Sequence, residues 1–133
     1  MAFVVYDTAA LIAAEKNNRR FMAEHADRLS RGDQPIVPAG VLAQAWNPRP
    51  AAVNLHRVLR GCSVRSLTEQ AAKIVAGLCH AARSRDVVDG SVVFVAIACG
   101  DAPILTGDVE DITALVAASG HRIRVERPTP GRP

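Results

Sequence analysis

Short apolar runs rich in β-forming residues alternate with segments of helical period along the whole of this chain. Phe3-Val4-Val5-Tyr6 precedes Ala9-Ala10-Leu11-Ile12-Ala13-Ala14, with Asp7 or Thr8 placed to cap that helix. Phe21, Met22, His25 and Leu29 recur at helical spacing until Arg31-Gly32-Asp33 stops the segment. Pro35 to Pro38 predicts a second strand, and Val41 to Trp46 a helix that Pro48 ends. A helix from about Pro50 to Arg60 stops at Gly61, and Cys62 to Leu67 reads as a third strand. Thr68 caps a helix running to about Arg83. Asp86 to Cys99 is rich in β-branched residues, but its fourteen positions are long for a strand, so a buried helix is expected. Pro103 to Thr106 predicts a strand, Val109 to Ser119 a helix closed by Gly120, and Arg122 to Val125 a last strand. Short, non-alternating strands joined through helices belong to a parallel sheet covered on both faces. The expected fold is α/β, a three-layer α/β/α sandwich with a mostly parallel central sheet. It should occupy residues 1–126, with 127–133 as a flexible tail rich in Pro and Arg.

A chain of 133 residues holds one such domain. Its core must come from Ala, Val, Leu and Ile, because only three Phe, one Tyr and one Trp are present. No run approaches the roughly 18 apolar residues of a membrane span. The N-terminal apolar run lacks a basic flank and is too short for a signal peptide. Cys62, Cys79 and Cys99 are odd in number and contain no CxxC, so they predict small buried hydrophobes in a reducing compartment. A cytoplasmic protein is expected. His25, His56, His80 and His121 form neither HxxxH nor HExxH and read as surface or incidental residues. GxSxG and the glycine-rich phosphate loops are missing as well, which leaves serine hydrolysis and nucleotide binding without support.

The net charge of +3 resides entirely beyond His121, where Arg122, Arg124, Arg127 and Arg132 face only Glu126. Residues 1–121 balance twelve basic against twelve acidic side chains, unevenly placed. Gln34 to Thr68 contains no Asp or Glu yet carries Arg49, Arg57, Arg60 and Arg65. These four, like Arg19 and Arg20, suit either an RNA backbone or a solvated face around two helices. Trp46, in the same stretch, reads as core or interface packing.

Three acids have related surroundings. Asp7 follows the first strand, Asp108 follows Ile104-Leu105-Thr106, and Asp89 opens the long apolar helix. In a parallel sheet the strand ends and the helix starts beside them form the usual ligand crevice. Capping accounts for each acid singly: Asp7 and Asp108 stand at N-cap positions, Asp108 with Asp111 resembles a capping box, and Asp86 and Asp89 suit a helix dipole. Convergence has a different consequence. Two carboxylates about 4 Å apart repel by about 4 kcal/mol at an effective dielectric of 20. Several stay ionised together only around a cation; otherwise one takes up a proton. All-oxygen donors suit Mg²⁺ or Mn²⁺, and the matching chemistry is phosphodiester hydrolysis by metal-activated water.

Four segments carry a resemblance: Val4 to Ala13, Ile36 to Trp46, Asp86 to Val93, and Leu105 to Ile112. In that order and spacing the chain resembles the PIN-domain ribonucleases, and among them the toxin component of VapBC-type toxin–antitoxin pairs. The resemblance implies a PIN-like fold and a metal-dependent endoribonuclease, with Asp7, Asp89 and Asp108 as catalytic, Mg²⁺- or Mn²⁺-holding acids. Asp86 and Asp111 are neighbours able to support or substitute for them. Thr8 and Thr106 match positions where a hydroxyl assists the site, and with Arg49, Arg57 and Arg60 they are expected to contact substrate. Gln44 stands where the family usually has Glu; its amide oxygen can ligate a cation but brings no charge. The implied partners are an RNA substrate, a cognate antitoxin and a second copy in a homodimer. A catalytically weak or inactive module that binds antitoxin or RNA is the alternative. A phosphotransfer domain with Asp7 as covalent acceptor is disfavoured, because Ala9 occupies the second position of the required DxD.

Overall fold

A computed structural model describes residues 2–129. Among them the chain forms β1 (Phe3–Tyr6), α1 (Thr8–Glu15), α2 (Arg19–Ser30), β2 (Gln34–Pro38), α3 (Ala39–Ala45) and α4 (Val53–Arg60). There follow β3 (Ser63–Arg65), α5 (Glu69–Ala82), α6 (Val87–Ala98), β4 (Ile104–Leu105), α7 (Val109–Ser119) and β5 (Val125–Glu126). The five strands make one sheet in the order β3-β2-β1-β4-β5, and every pairing is parallel. From β1 the chain steps outward to β2 and β3, then returns to place β4 on the other side of β1. The order therefore reverses between β1 and β4, where Val5 is in register with Ile104 and Tyr6 with Leu105. Connections leaving these two strands diverge to opposite faces, which opens a crevice at their C-terminal ends.

Helix α1 packs with α2, α3 and α4 on one face; α5, α6 and α7 pack together on the other. Parallel strands require such crossovers, and right-handed ones send the two halves of the chain to opposite faces. The expected α/β/α sandwich is the observed architecture. Tyr6, Leu11, Phe21, Ile36, Leu55, Ile104, Ile112 and Leu115 fill the core. Helix α6 explains its strand-like composition: it touches β1, β2 and β4 as well as α5 and α7, and Val92, Val93, Val95 and Ala96 are all buried. A helix surrounded in this way is apolar on all sides. Gly90 lets its first turn close on α5, since a Cβ there would lie 2.6 Å from the Cys79 sulfur.

Several expectations need correction. The third strand is only Ser63–Arg65, and Val64 and Leu67 are exposed because β3 is a sheet edge. The last strand is Val125–Glu126 rather than Arg122–Val125, because the hydrogen bonds of Ile104 and Thr106 reach the carbonyls of Arg124 and Glu126. Helix α4 begins at Val53, not Pro50. Cys79 is buried, but Cys62 and Cys99 are only partly so; all three are free thiols. His25 is not a surface residue: it is buried, and Tyr6 Oη lies 2.7 Å from its Nδ1. Of the expected tail, Pro128 is buried and Arg127 donates to the Gly107 carbonyl, while 130–133 lie outside the described residues. No helix among the described residues is long and apolar enough to cross a membrane.

Candidate metal centre

The crevice between β1 and β4 receives an acid from each of three elements. Asp7 ends β1 and caps α1; its Oδ1 accepts from Thr8 N at 2.7 Å and its Oδ2 from Thr106 Oγ1 at 2.6 Å. Thr106 follows β4 and is fully buried. Its hydroxyl gives its only proton to Asp7 and accepts from Asp108 N at 3.0 Å, so one side chain aligns the carriers of two acids. Asp108 stands at the N-cap of α7, yet its side chain makes no capping bond. The expected capping box with Asp111 is not formed, which leaves the Asp108 carboxylate unspent on the helix. Asp86 does cap α6, accepting from Asp89 N at 3.0 Å, and so places Asp89 in the first turn.

Asp89 is 3% exposed, and its Oδ2 is buried without a hydrogen-bond partner. One carboxylate oxygen from each of Asp7, Asp89 and Asp108 lies within 4.8 Å of the other two. Burial pushes Asp89 up to about 7, reinforced by the charges of Asp86, Asp7, Asp108 and Asp111. Burial raises Asp7 as well; the bonds from Thr106 and Thr8 oppose it, and Asp108 and Asp86 add to it. An unpartnered buried carboxylate oxygen is costly and calls for a positive partner. The donor set is all oxygen and Asp89 is buried with one oxygen unpartnered, so these residues fit a hard divalent cation. The triad can hold a metal ion.

The surrounding cleft, of about 290 Å³, is lined by these acids together with Thr8, Gln44 and Asp86. Gln44 Oε1 accepts from Thr8 Oγ1 at 2.7 Å, so the amide oxygen is already engaged. Asp111 lies outside this cleft, in an adjoining recess with Glu110 and Arg127. Thr106, expected to meet substrate, is instead sealed beneath Asp7 and acts through it. Arg49, Arg57 and Arg60 are exposed and do not line the cleft. Sequence reasoning passed over Arg127. The ladder bond from Thr106 N to the Glu126 carbonyl sets it beside the acid-bearing loop, and only strand pairing reveals that. No protein-family model matches the chain, and no curated protein matches its sequence.

Proposed function

We propose that this chain is a metal-dependent endoribonuclease, the toxin of a toxin–antitoxin pair acting in the cytoplasm. The observation that carries this reading is the convergence of Asp7, Asp89 and Asp108 carboxylate oxygens within 4.8 Å of one another; in addition, the buried Oδ2 of Asp89 has no hydrogen-bond partner. Asp7, Asp89 and Asp108 would hold Mg²⁺ or Mn²⁺, with Asp86 behind Asp89. When bound, the ion supplies activated water and stabilises charge on the scissile phosphate. The protein's own residues orient and select. Thr106 fixes the rotamer of Asp7 and the backbone of Asp108, and Asp86 fixes the first turn carrying Asp89. The Thr8–Gln44 pair forms a neutral wall of the cleft, against which a phosphate meets no extra negative charge. Arg49, Arg57 and Arg60 raise the local concentration of polyanion without touching the reacting centre. A cognate antitoxin covering the cleft and a homodimeric assembly belong to the same reading.

The neutral Gln44 also favours a second reading, a catalytically weak or inactive module that binds antitoxin or RNA. Incubating the chain with single-stranded RNA plus Mn²⁺ or Mg²⁺, against an EDTA control, separates the two. Metal-dependent cleavage that disappears in Asp7→Asn and Asp89→Asn chains of unchanged circular dichroism supports the enzyme. Cleavage persisting in both variants means that the acids are misassigned. Mn²⁺ binding by calorimetry with no cleavage of any RNA offered leaves the module.

A further inference from the structure

Trp46 does not pack in the core; it is 52% exposed. It terminates α3, with its backbone N–H on the Leu42 carbonyl. Its indole stacks on His56 of α4, ring centroids 4.8 Å apart and planes inclined by 26°. The mounting is rigid. His56 Nε2 donates to the Asn47 carbonyl at 2.6 Å, Asn47 Nδ2 donates to Glu15, and Asn47 Oδ1 accepts from Arg49 N. The nearby acid, Glu15, is therefore held by Asn47. Arg49, Arg57, Arg60 and Arg65 are exposed, and none lies within 4.0 Å of a carboxylate among the described residues. Gln44, two positions before Trp46, lines the acidic cleft; two residues span at most about 7 Å.

A large exposed aromatic stacked on a helix that also carries the exposed, unpaired Arg57 and Arg60, with Arg49 three residues along the chain, has the parts of a single-strand binding surface. Stacking uses the π-face that every base offers, and the arginines meet the phosphates between bases. A protein partner would also accept a tryptophan, but a stretch without a single Asp or Glu from Gln34 to Thr68 is complementary to a polyanion. We infer that Trp46, backed by His56 and flanked by Arg49, Arg57 and Arg60, is a stacking platform for an unpaired base of single-stranded RNA beside the acidic cleft. This inference rests on the nuclease reading for where the strand leads, and it narrows the substrate class to RNA with exposed bases.

Trp46 is the only tryptophan in the chain, so its fluorescence reports on the platform directly. The full chain is titrated in EDTA with a ten-nucleotide single-stranded RNA, the same RNA annealed as a duplex, and an acidic peptide. Single-stranded RNA should quench the emission saturably, less at high salt, while the duplex and peptide leave it unchanged. Anisotropy of labelled RNA should show Trp46→Ala weakening binding by about 5- to 150-fold, the range spanned by one stacked base. Trp46→Phe should restore most of it, and Arg57→Ala should lower the salt slope by about one. RNA binding without quenching overturns the inference, as does Trp46→Ala with parental affinity. Equal quenching by duplex, or a response only to peptide or to protein concentration, also overturns it by marking a shape-reading or protein-binding face. Metal-dependent cleavage without quenching sinks the platform and leaves the nuclease; quenching without cleavage does the reverse.

Discussion

Thr106 Oγ1 donates to Asp7 Oδ2 across 2.6 Å, joining side chains ninety-nine positions apart. The same oxygen accepts from Asp108 N, so the polarity of the hydroxyl is settled at both ends. Two adjacent parallel strands thereby hold their terminal acids in one fixed relation. Thr106→Val keeps the shape and removes the hydroxyl. It should destabilise the protein by about 1–3 kcal/mol, the cost of orphaning buried groups, and weaken Mn²⁺ binding by about 10- to 100-fold. Urea unfolding and calorimetry measure the two effects. Thr106→Ser should recover both, and parental Mn²⁺ affinity in Thr106→Val would show that the hydroxyl does not position the site.

Asp7 and Asp89 should respond differently to the same change of carboxylate to amide. Both Asp7 oxygens accept hydrogen bonds, so Asp7→Asn turns an amide N–H against a donor and should cost about 1–3 kcal/mol. Asp89 Oδ2 accepts none, and Asp89→Asn removes a buried charge from among its like. Metal-free Asp89→Asn should therefore be at least as stable as the parent at pH 8, yet gain no thermal stability on adding Mn²⁺. Differential scanning calorimetry with and without the ion makes the comparison.

The sign of the pH dependence follows from the raised carboxyls. Asp89 titrates near 7 in the folded protein, against about 3.9 in an unfolded chain. Between those values the folded state binds the extra proton, so its contribution to stability is complete below the unfolded value and lost as pH rises through 7. Asp7 shifts in the same direction. The metal-free protein should melt at a higher temperature at pH 5 than at pH 8. Saturating Mn²⁺ should shrink that difference, because the cation replaces the proton. A metal-free melting temperature that rises with pH over this interval would contradict the shifts.

Gln44→Glu should retain the bond from Thr8 while adding a charge to the cleft wall. Mn²⁺ should bind more tightly, by a few-fold to about 10-fold, and the metal-free protein should lose stability above pH 7. Titration calorimetry decides it, and weaker binding would show that the neutral amide is suited to this site.

Tyr6 offers a control beneath the sheet. Its hydroxyl is hydrogen-bonded to His25 Nδ1 at 2.7 Å and accepts from Arg28 at 3.2 Å, and burial pushes its own pKa up to about 12. Burial first, and Arg28 second, lower His25, which favours the neutral imidazole. Tyr6→Phe should cost about 1–3 kcal/mol by leaving His25 and Arg28 short of a partner. Its Mn²⁺ affinity should equal that of the parent, since the network lies away from the cleft.

The alternation of β-rich runs with helical periods was enough to read the layers and the parallel sheet, because both patterns follow from burial face by face. Asp7, Asp89 and Asp108 were legible as candidates from their places at strand ends and a helix start. Their local setting allowed capping equally well, and only the missing capping bond at Asp108 and the orphaned oxygen of Asp89 set them apart. His25 left its expected surface role, and Trp46, expected in the core or at an interface, lies outside the core. A histidine at helical spacing turned inward onto Tyr6, and a tryptophan ended a helix with half its surface in solvent. Neither outcome is local, because each depends on what the neighbouring element presents.

The sequence by itself determined the element types, the parallel α/β class and which acids stand at element ends, because those depend on residue period and on caps within a few positions. Only the tertiary structure decided which ends meet. The reversal of strand order between β1 and β4 is a long-range pairing choice, and it brings Asp7 and Asp108 to one crevice. The packing of α6 on that sheet adds Asp89. Carboxylates separated along the chain interact only weakly through water. Folding buries Asp7 and Asp89 and sets the exposed Asp108 beside them, and their proximity then becomes an electrostatic demand that a proton or a cation must meet.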